Sequence, residues 1–414
     1  MYTVCLSLNE QGPMLHPKQT VLTWQKILPA IILVLFAWLV FSFGFYRVLV
    51  IPREYRFDFS YRWIAGRAAL EGQNPYSQEV SRAIYRAMFG EEHAPDEYVQ
   101  GFSNPGHHLM LFVPLYYLPY PVAVSLWVGL QLVFLFAAAS IGFYLVTGGH
   151  FPPLKTLAWL ILYCTWYRHT MVGLTFAQFI VFQLLLTVLV LLAAVRGWDW
   201  WCGLGLALTT NHPALSLVLV VVALGLALLA ARWKIVAGFG LGLLGLLAGS
   251  ILWLGWWAPG FLESTRQYAA RTPWLLASRL AGLADGGLGL RVAILATSII
   301  IGMLAFVALR QPDLEVRRDG AALMTGVSLY LMPQTNSYNL TFLLIPIVIG
   351  WANLKNRWLR LAWLGVWWLL PWLDFGTNEL TLEVNLWIVY VVTLVWGGLL
   401  ALRLWRRRLS NAEN

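Results

Sequence analysis

A carboxylate, Asp58, stands directly after the first long apolar segment of the chain, where a membrane helix would give way to water. A carboxylate held ~3 Å from a hydroxyl can accept its proton while a leaving group departs from the opposite face of the reacting carbon. Asp is also a preferred residue at the start of a helix, and helical spacing follows Asp58. From the residues alone, Asp58 is therefore either a general base or a helix cap.

Side chains with metal or thiol chemistry are few. The pair His107 and His108 lacks a third ligand at a convincing spacing, so we expect an interfacial or substrate-contacting pair. Cys5, Cys164 and Cys202 are too few and too dispersed for a disulfide framework. We therefore expect neither a metal centre nor a disulfide.

The composition is that of a polytopic membrane protein. Of 414 residues, 59% are hydrophobic and 11% are charged, whereas a soluble domain carries about a quarter charged residues. The formal net charge of +9 comes from basic residues scattered through short loops, which indicates membrane topology rather than nucleic-acid binding. Most of the 23 Trp fall where apolar segments end, as expected for an aromatic belt.

Segments of about 20 apolar residues can cross the ~30 Å hydrocarbon core of a bilayer. They predict an all-α bundle of about twelve membrane-spanning helices in a single domain, residues 1–414, or about ten or eleven if two short segments are half-helices. The predicted segments are 27–50, 121–146, 155–170, 175–195, 200–211, 213–231, 235–257, 289–309, 320–333, 338–353, 358–373 and 384–403.

Basic residues fall on one side of this arrangement, which the positive-inside rule makes cytoplasmic and which holds both termini. The basic tail 404–414 lies on that side, and two long segments, 51–120 and 258–288, lie outside. Within the first, apolar residues recur at helical spacing over 60–71 and 78–89. We expect two amphipathic helices there, on the outer membrane surface, separated by a break rich in Gly, Asn and Pro.

The run DFSYRWIAGRAALEGQNPY, residues 58–76, resembles the first outer loop of glycosyltransferase family 87. The matching residues are Asp58, Phe59, Tyr61, Ala65, Arg67, Ala68, Gly72, Asn74, Pro75 and Tyr76. Further matches follow at Ser103-Asn104-Pro105, Ala177-Gln178, Asn211-His212-Pro213, Met332-Pro333 and Tyr338-Asn339. The resemblance implies the GT-C superfamily and a polyprenyl-phosphate sugar as donor, as in mannosyltransferases that act on lipid glycans.

The resemblance implies that Asp58 is the general base and that other side chains of the loop contact substrate. In such a reaction the leaving group is a lipid phosphate, so cations and hydrogen-bond donors should line the outer helix ends, although an arginine there can also snorkel. The candidates for the donor phosphate are Arg168, His169, His212, Arg266 and Arg271. The candidates for other substrate contacts are Tyr61, Trp63, Arg67, Asn74, Tyr76, His107, Gln178, Asn336, Tyr338 and Asn339.

These features predict a membrane glycosyltransferase that moves a hexose, expected to be mannose, from a polyprenyl-phosphate sugar to a hydroxyl of a glycan or glycolipid. Its site would face the outer side of the cell membrane. No metal or other cofactor is expected, because protein cations can serve a monophosphate leaving group. Two alternatives stay open: a transporter or lipid flippase, which usually carries ionisable residues within its spans, and an inactive member of the same fold.

Overall fold

The computed structural model describes residues 24–53, 57–90, 101–151, 153–271, 288–311, 313–331, 337–375 and 381–412. This part of the chain is built from helices and contains no strand. Helices suit so apolar a sequence, because each one satisfies its backbone hydrogen bonds within its own segment. The prediction of an all-α fold is confirmed for the described residues.

The helices of the first half include several short ones between longer apolar ones. They are α1 (Trp24–Phe45), α2 (Phe59–Leu70), α3 (Gln78–Phe89), α4 (Gly106–Met110), α5 (Val113–Tyr116), α6 (Tyr120–Val146), α7 (Leu154–Trp166), α8 (Arg168–Thr175) and α9 (Ile180–Arg196). The remaining helices are α10 (Asp199–Thr209), α11 (Pro213–Leu229), α12 (Trp233–Leu254), α13 (Ala258–Arg271), α14 (Leu288–Leu309), α15 (Leu314–Leu331), α16 (Leu344–Asn353), α17 (Arg357–Phe375) and α18 (Thr381–Ala412). A 3-10 helix, Ser337–Leu343, precedes α16.

Four helical segments of the described chain are long and apolar enough to cross a membrane. They are Ile32–Val50, Tyr120–Val146, Trp233–Leu254 and Val292–Leu309. At 1.5 Å per residue, the 27 residues of α6 extend about 40 Å, which exceeds the hydrocarbon core. These segments support an integral membrane protein, whereas the predicted bundle of twelve spans is not confirmed.

The third predicted span, 155–170, is interrupted. Helix α7 ends at Trp166, Tyr167 has an extended backbone (φ −63°, ψ 119°), and α8 begins at Arg168. The interruption coincides with the polar residues at the start of α8. The fourth predicted span, 175–195, begins five residues late, at Ile180 in α9, because a tight turn ends α8 first.

The two helices predicted in the first outer loop are confirmed at nearly their predicted bounds, as α2 and α3. In α3 the buried residues Val80 and Ile84 lie one turn apart on a single face, as in an amphipathic helix. Helix α2 differs from the prediction, because its buried positions spread over at least half of its circumference and include a serine and an arginine. It packs inside the protein rather than lying along its surface.

An aromatic cluster joins α2 to the helices that follow it. The ring of Phe179 lies 4.3 Å from Trp127, 4.6 Å from Phe112 and 6.1 Å from Phe59, measured between centroids. Burying a Phe side chain stabilises a fold by about 1.5–3 kcal/mol, and aromatic pairing adds to that. The cluster therefore fixes the start of α2 against α6 and against the turn between α8 and α9.

Candidate active site

Asp58 lies at the start of α2 between two fully buried residues, Phe57 and Phe59. Its backbone N–H donates to the carbonyl of Phe176 at 3.1 Å. Its side chain makes no capping hydrogen bond to α2, and its Oδ2 accepts a hydrogen bond from Nε2 of Gln178. The structure therefore does not support the helix-cap hypothesis, because the carboxylate is turned towards the turn between α8 and α9.

A strained turn presents Gln178 to this carboxylate. At the end of α8 the N–H of Gln178 donates to Gly173 (2.8 Å) and that of Ala177 donates to Leu174 (3.0 Å). Ala177 has φ +52°, a left-handed conformation usually left to glycine at such helix ends. For a residue with a Cβ this costs about 1–2 kcal/mol. The indole N–H of Trp127 donates to the Ala177 carbonyl (3.2 Å), so the surrounding core holds the turn in place.

The electrostatic surroundings make Asp58 a stronger base than an exposed carboxylate. Partial burial raises the pKa of Asp58 above its ordinary value of 3.8, because desolvation penalises the charged form. The positive charge of Arg62 and the hydrogen bond from Gln178 act in the opposite direction on this pKa. A carboxylate with one oriented oxygen and a raised pKa is suited to accepting a proton from a hydroxyl.

Arg62, which the sequence analysis did not select, is buried beside Asp58 and is only 1% exposed. Its guanidinium carbon lies 4.3 Å from the ring centroids of both Tyr61 and Phe179, and its Nη1 donates to the Asp58 carbonyl at 3.1 Å. The sequence contained one indication of this arrangement. Arg62 follows Asp58 by four residues, which places both side chains on one face of a helix.

The histidine pair contacts the turn between α10 and α11. Nδ1 of His108 lies 3.2 Å from the carbonyl oxygen and 3.3 Å from Oδ1 of Asn211, and Nε2 of His107 lies 3.3 Å from Oγ1 of Thr210. Both histidines are buried. Among the described residues, no group of three His, Cys, Asp or Glu side chains is arranged to hold a metal ion.

His212 follows in the same turn and belongs to the same electrostatic environment. Burial and the nearby charge of Arg62 lower the pKa of His212 to about 3 and that of His108 well below its ordinary value. Burial likewise raises the pKa of Tyr61 to about 12. Asp58, Tyr61, Gln178 and His212, all selected from the sequence, are thus brought to one region, together with Arg62 and His108.

Four other selected residues of the first loop make structural contacts. The indole of Trp63 donates to Leu118 (3.2 Å), and Arg67 donates to Tyr116 (3.2 Å) while pairing with Glu71 (3.6 Å). The remaining two organise the turn after α2. Oδ1 of Asn74 accepts from the backbone of Tyr76 at 3.0 Å, and the hydroxyl of Tyr76 donates to the carbonyl of Asn104 at 2.7 Å.

The other candidates lie further from Asp58 or outside the described residues. Arg168 and His169 begin α8, whose eight residues extend about 12 Å before the backbone that contacts Asp58. Tyr338 and the buried Asn339 belong to the 3-10 helix that packs against α8. Arg266 is exposed and pairs with its helix neighbour Glu263 at 3.9 Å. Asn336 and the side chain of Arg271 lie outside the described residues.

Comparison with known protein families gives one match. The family model of glycosyltransferase family 87 matches residues 102–334, which is more than half of the chain. The matched region includes Gln178, His108 and His212, while Asp58 precedes it. No curated protein and no solved structure matches the chain.

Proposed function

Because the chain belongs to glycosyltransferase family 87, it is a glycosyltransferase with membrane-spanning helices, and we propose that it transfers a hexose from a polyprenyl-phosphate sugar to a hydroxyl of a glycan or glycolipid. Mannose is the hexose we expect, from the resemblance of residues 58–76. Family membership favours this proposal over the transporter and flippase alternatives, which the composition alone left open.

The observation that carries the proposal is the carboxylate of Asp58, fixed by Gln178 on one oxygen. Among the described residues, nothing donates a hydrogen bond to the other oxygen, Oδ1. In the proposed reaction, this carboxylate takes the proton of the acceptor hydroxyl. The acceptor oxygen then bonds to the anomeric carbon as the bond from that carbon to the phosphate oxygen breaks, and the electron pair stays with the phosphate.

Among the described residues, one carboxylate, Asp58, stands at the proposed site. This favours a reaction with one displacement at the anomeric carbon over a reaction with two successive displacements. No second carboxylate of the described residues contributes to the electrostatic surroundings of Asp58. Enzymes that retain anomeric configuration commonly use a nucleophilic carboxylate and a second group as acid and base. We therefore propose inversion at the anomeric carbon, with the acceptor and the leaving phosphate on opposite faces.

The architecture supports a lipid-anchored donor. Asp58 and its partners lie at the ends of short helices, beside the long apolar helix α6 and close to α12, which packs against α4. A lipid phosphate can reach such a place from the bilayer, while a polar acceptor arrives from water. We propose that this side is the outer face of the cell membrane and that both termini are cytoplasmic.

Topology has a direct test, which uses an impermeant thiol reagent on intact cells. A cysteine introduced at position 91 should be labelled, whereas one at position 410 should be labelled only after the membrane is opened. The reverse pattern would place the first loop in the cytoplasm and would contradict an outward-facing site.

The reaction itself is tested with purified protein and a donor carrying a labelled sugar. We expect transfer from polyprenyl-phosphate mannose to a membrane glycolipid, with inverted configuration in the product, and no transfer from a nucleotide sugar. Other hexoses on the same lipid phosphate give the sugar preference. Transfer from a nucleotide sugar at an equal rate would contradict the proposed donor, and retained configuration would contradict the single displacement.

A further inference from the structure

A buried cation without a complete set of hydrogen bonds stands next to the proposed base. Arg62 is only 1% exposed, and its Nε has no hydrogen-bond partner among the described residues. Within the described ranges, its guanidinium donates one hydrogen bond, to the backbone carbonyl of Asp58. Buried polar groups are nearly always paired, and an unpaired one costs about 1–3 kcal/mol or more when charged. Such a group is a candidate binding point for a ligand that supplies the missing hydrogen-bond partner.

In the same region, each of two histidines has one ring nitrogen without a hydrogen-bond partner among the described residues. Nε2 of His108 and Nδ1 of His212 are buried and have no hydrogen-bond partner in the described part of the chain. Both Asn211 atoms near Nδ1 of His108 are oxygens, so Nδ1 carries the hydrogen and Nε2 has the lone pair in the neutral ring. An anion bound at Nε2 favours a second proton there, which turns this nitrogen into a donor.

The three groups share one environment although they come from different parts of the chain. The ring of Phe179 lies 4.3 Å from the guanidinium carbon of Arg62 and 4.7 Å from the His108 ring. The charge of Arg62 acts on both His108 and His212, and His212 also acts on His108. Asp58 lies one helical turn before Arg62, so the base and this cluster adjoin.

We infer that Arg62, His108 and His212 form one anion-binding site beside Asp58, and that it holds the phosphate of the lipid donor. The identity of the anion rests on the proposed function, whereas the existence of the site rests on the buried and incompletely bonded nitrogens. A planar guanidinium with several N–H groups matches the geometry of a phosphate.

The position of the site fits the charge that develops in the reaction. A polyprenyl-phosphate sugar carries one negative charge, and its phosphate gains a second as the bond to the anomeric carbon breaks. The electron pair remains on the phosphate oxygen, where a fixed cation in a poorly hydrated site stabilises it most. Arg266, exposed and paired with Glu263, lacks these properties.

The site is tested by ligand binding without turnover. The probes are farnesyl phosphate, which joins a short isoprenoid to a phosphate, the uncharged alcohol farnesol, and inorganic phosphate. Wild-type protein should bind farnesyl phosphate more tightly than either of the other two. Arg62→Gln should weaken farnesyl phosphate binding about tenfold to a hundredfold and leave farnesol binding unchanged. The matched control, Arg86→Gln, removes an exposed arginine of α3 and should change neither.

Two further variants separate loss of the site from loss of the fold. Arg62→Lys keeps the charge and should bind farnesyl phosphate better than Arg62→Gln. His108→Asn keeps an amide where Nδ1 contacts Asn211 but removes Nε2, and should weaken binding about tenfold. If Arg62→Gln and His108→Asn are both folded and bind farnesyl phosphate as tightly as the wild type, the site is not there.

The same measurements distinguish this inference from the proposed reaction. Specific farnesyl phosphate binding that depends on Arg62, in a protein that transfers sugar from no polyprenyl phosphate, would support the anion site and contradict the reaction. Normal transfer by the folded Arg62→Gln protein would overturn the anion site and leave the reaction standing. Inorganic phosphate that binds as tightly as farnesyl phosphate would overturn the assignment to a lipid donor.

Discussion

Two carboxylates of this protein, the buried Asp319 and the partly buried Asp58, have opposite surroundings. Asp319 in α15 is 1% exposed and is bonded by Asn353 of α16 (2.9 Å), by the indole of Trp396 (3.1 Å) and by Arg403, both of α18. Within the described part of the chain, the side chain of Asp58 receives one hydrogen bond, from the uncharged amide of Gln178, and the cation beside it bonds its backbone instead.

The difference separates a structural carboxylate from the one that we propose as the base. Three donors, one of them charged, occupy the oxygens of Asp319 and tie three helices together, so little capacity remains for another proton or ligand. Asp58 is positioned by its neighbours but not saturated by them. A charge removed from water without its full number of hydrogen-bond partners costs stability. Such a cost is typical of sites where a substrate supplies the missing partners.

The largest effect is expected at Asp58. Asp58→Asn preserves shape but cannot accept a proton, so turnover should fall by about a hundredfold to ten-thousandfold. Thermal stability should stay close to that of the wild type, because the side chain makes no cap bond. Retention of more than about a tenth of the activity in the transfer assay would show that Asp58 is not the base.

The opposite pattern is expected at Asp319. Asp319→Asn removes the charge that pairs with Arg403, whose side chain is 54% exposed, so we expect a loss of about 1–3 kcal/mol in unfolding free energy. Turnover per folded molecule should change less than about twofold. Glu315→Gln, an exposed position of the same helix, is the control. A large loss of turnover with unchanged stability would remove the contrast between the two carboxylates.

Gln178 offers a way to change the base without removing it. Its hydrogen bond favours the charged form of Asp58 and so lowers a pKa that burial raises. Gln178→Leu should therefore raise the pKa of Asp58 further. Because only the ionised form is a base, the acid limb of the turnover profile should move to higher pH, and turnover should fall on the acid side of the profile. An unshifted acid limb would mean that Gln178 does not act through Asp58.

The smallest effect is expected at Ala177. Ala177→Gly relieves the left-handed backbone strain and adds chain entropy to the unfolded state, so stability should rise by about 1 kcal/mol or less. Turnover should change less than about threefold. Ala177→Val, with a branched side chain at this fully buried position, should be clearly destabilised. Equal stability of the two variants would show that the turn is not strained.

Helical spacing and short motifs predicted those features that depend on residues close together in the sequence. Helical spacing located α2 and α3, and the motif of residues 58–76 identified Asp58. Arg62 was missed because its burial comes from Phe179 and other residues more than a hundred positions away, which periodicity cannot show. The interruption at Tyr167 was missed for a related reason, since a long apolar run looks continuous until the polar start of α8 is placed against its neighbours.

The hydrogen bond from Gln178 to Asp58 joins residues 120 positions apart, and this separation has a consequence for biogenesis. At a synthesis rate of about 5–20 residues per second, Gln178 is made roughly 6–24 s after Asp58. During that interval the nascent chain carries the carboxylate without the amide that orients it. The orientation of the proposed base therefore depends on a turn that is made after α8 and must then reach the first loop.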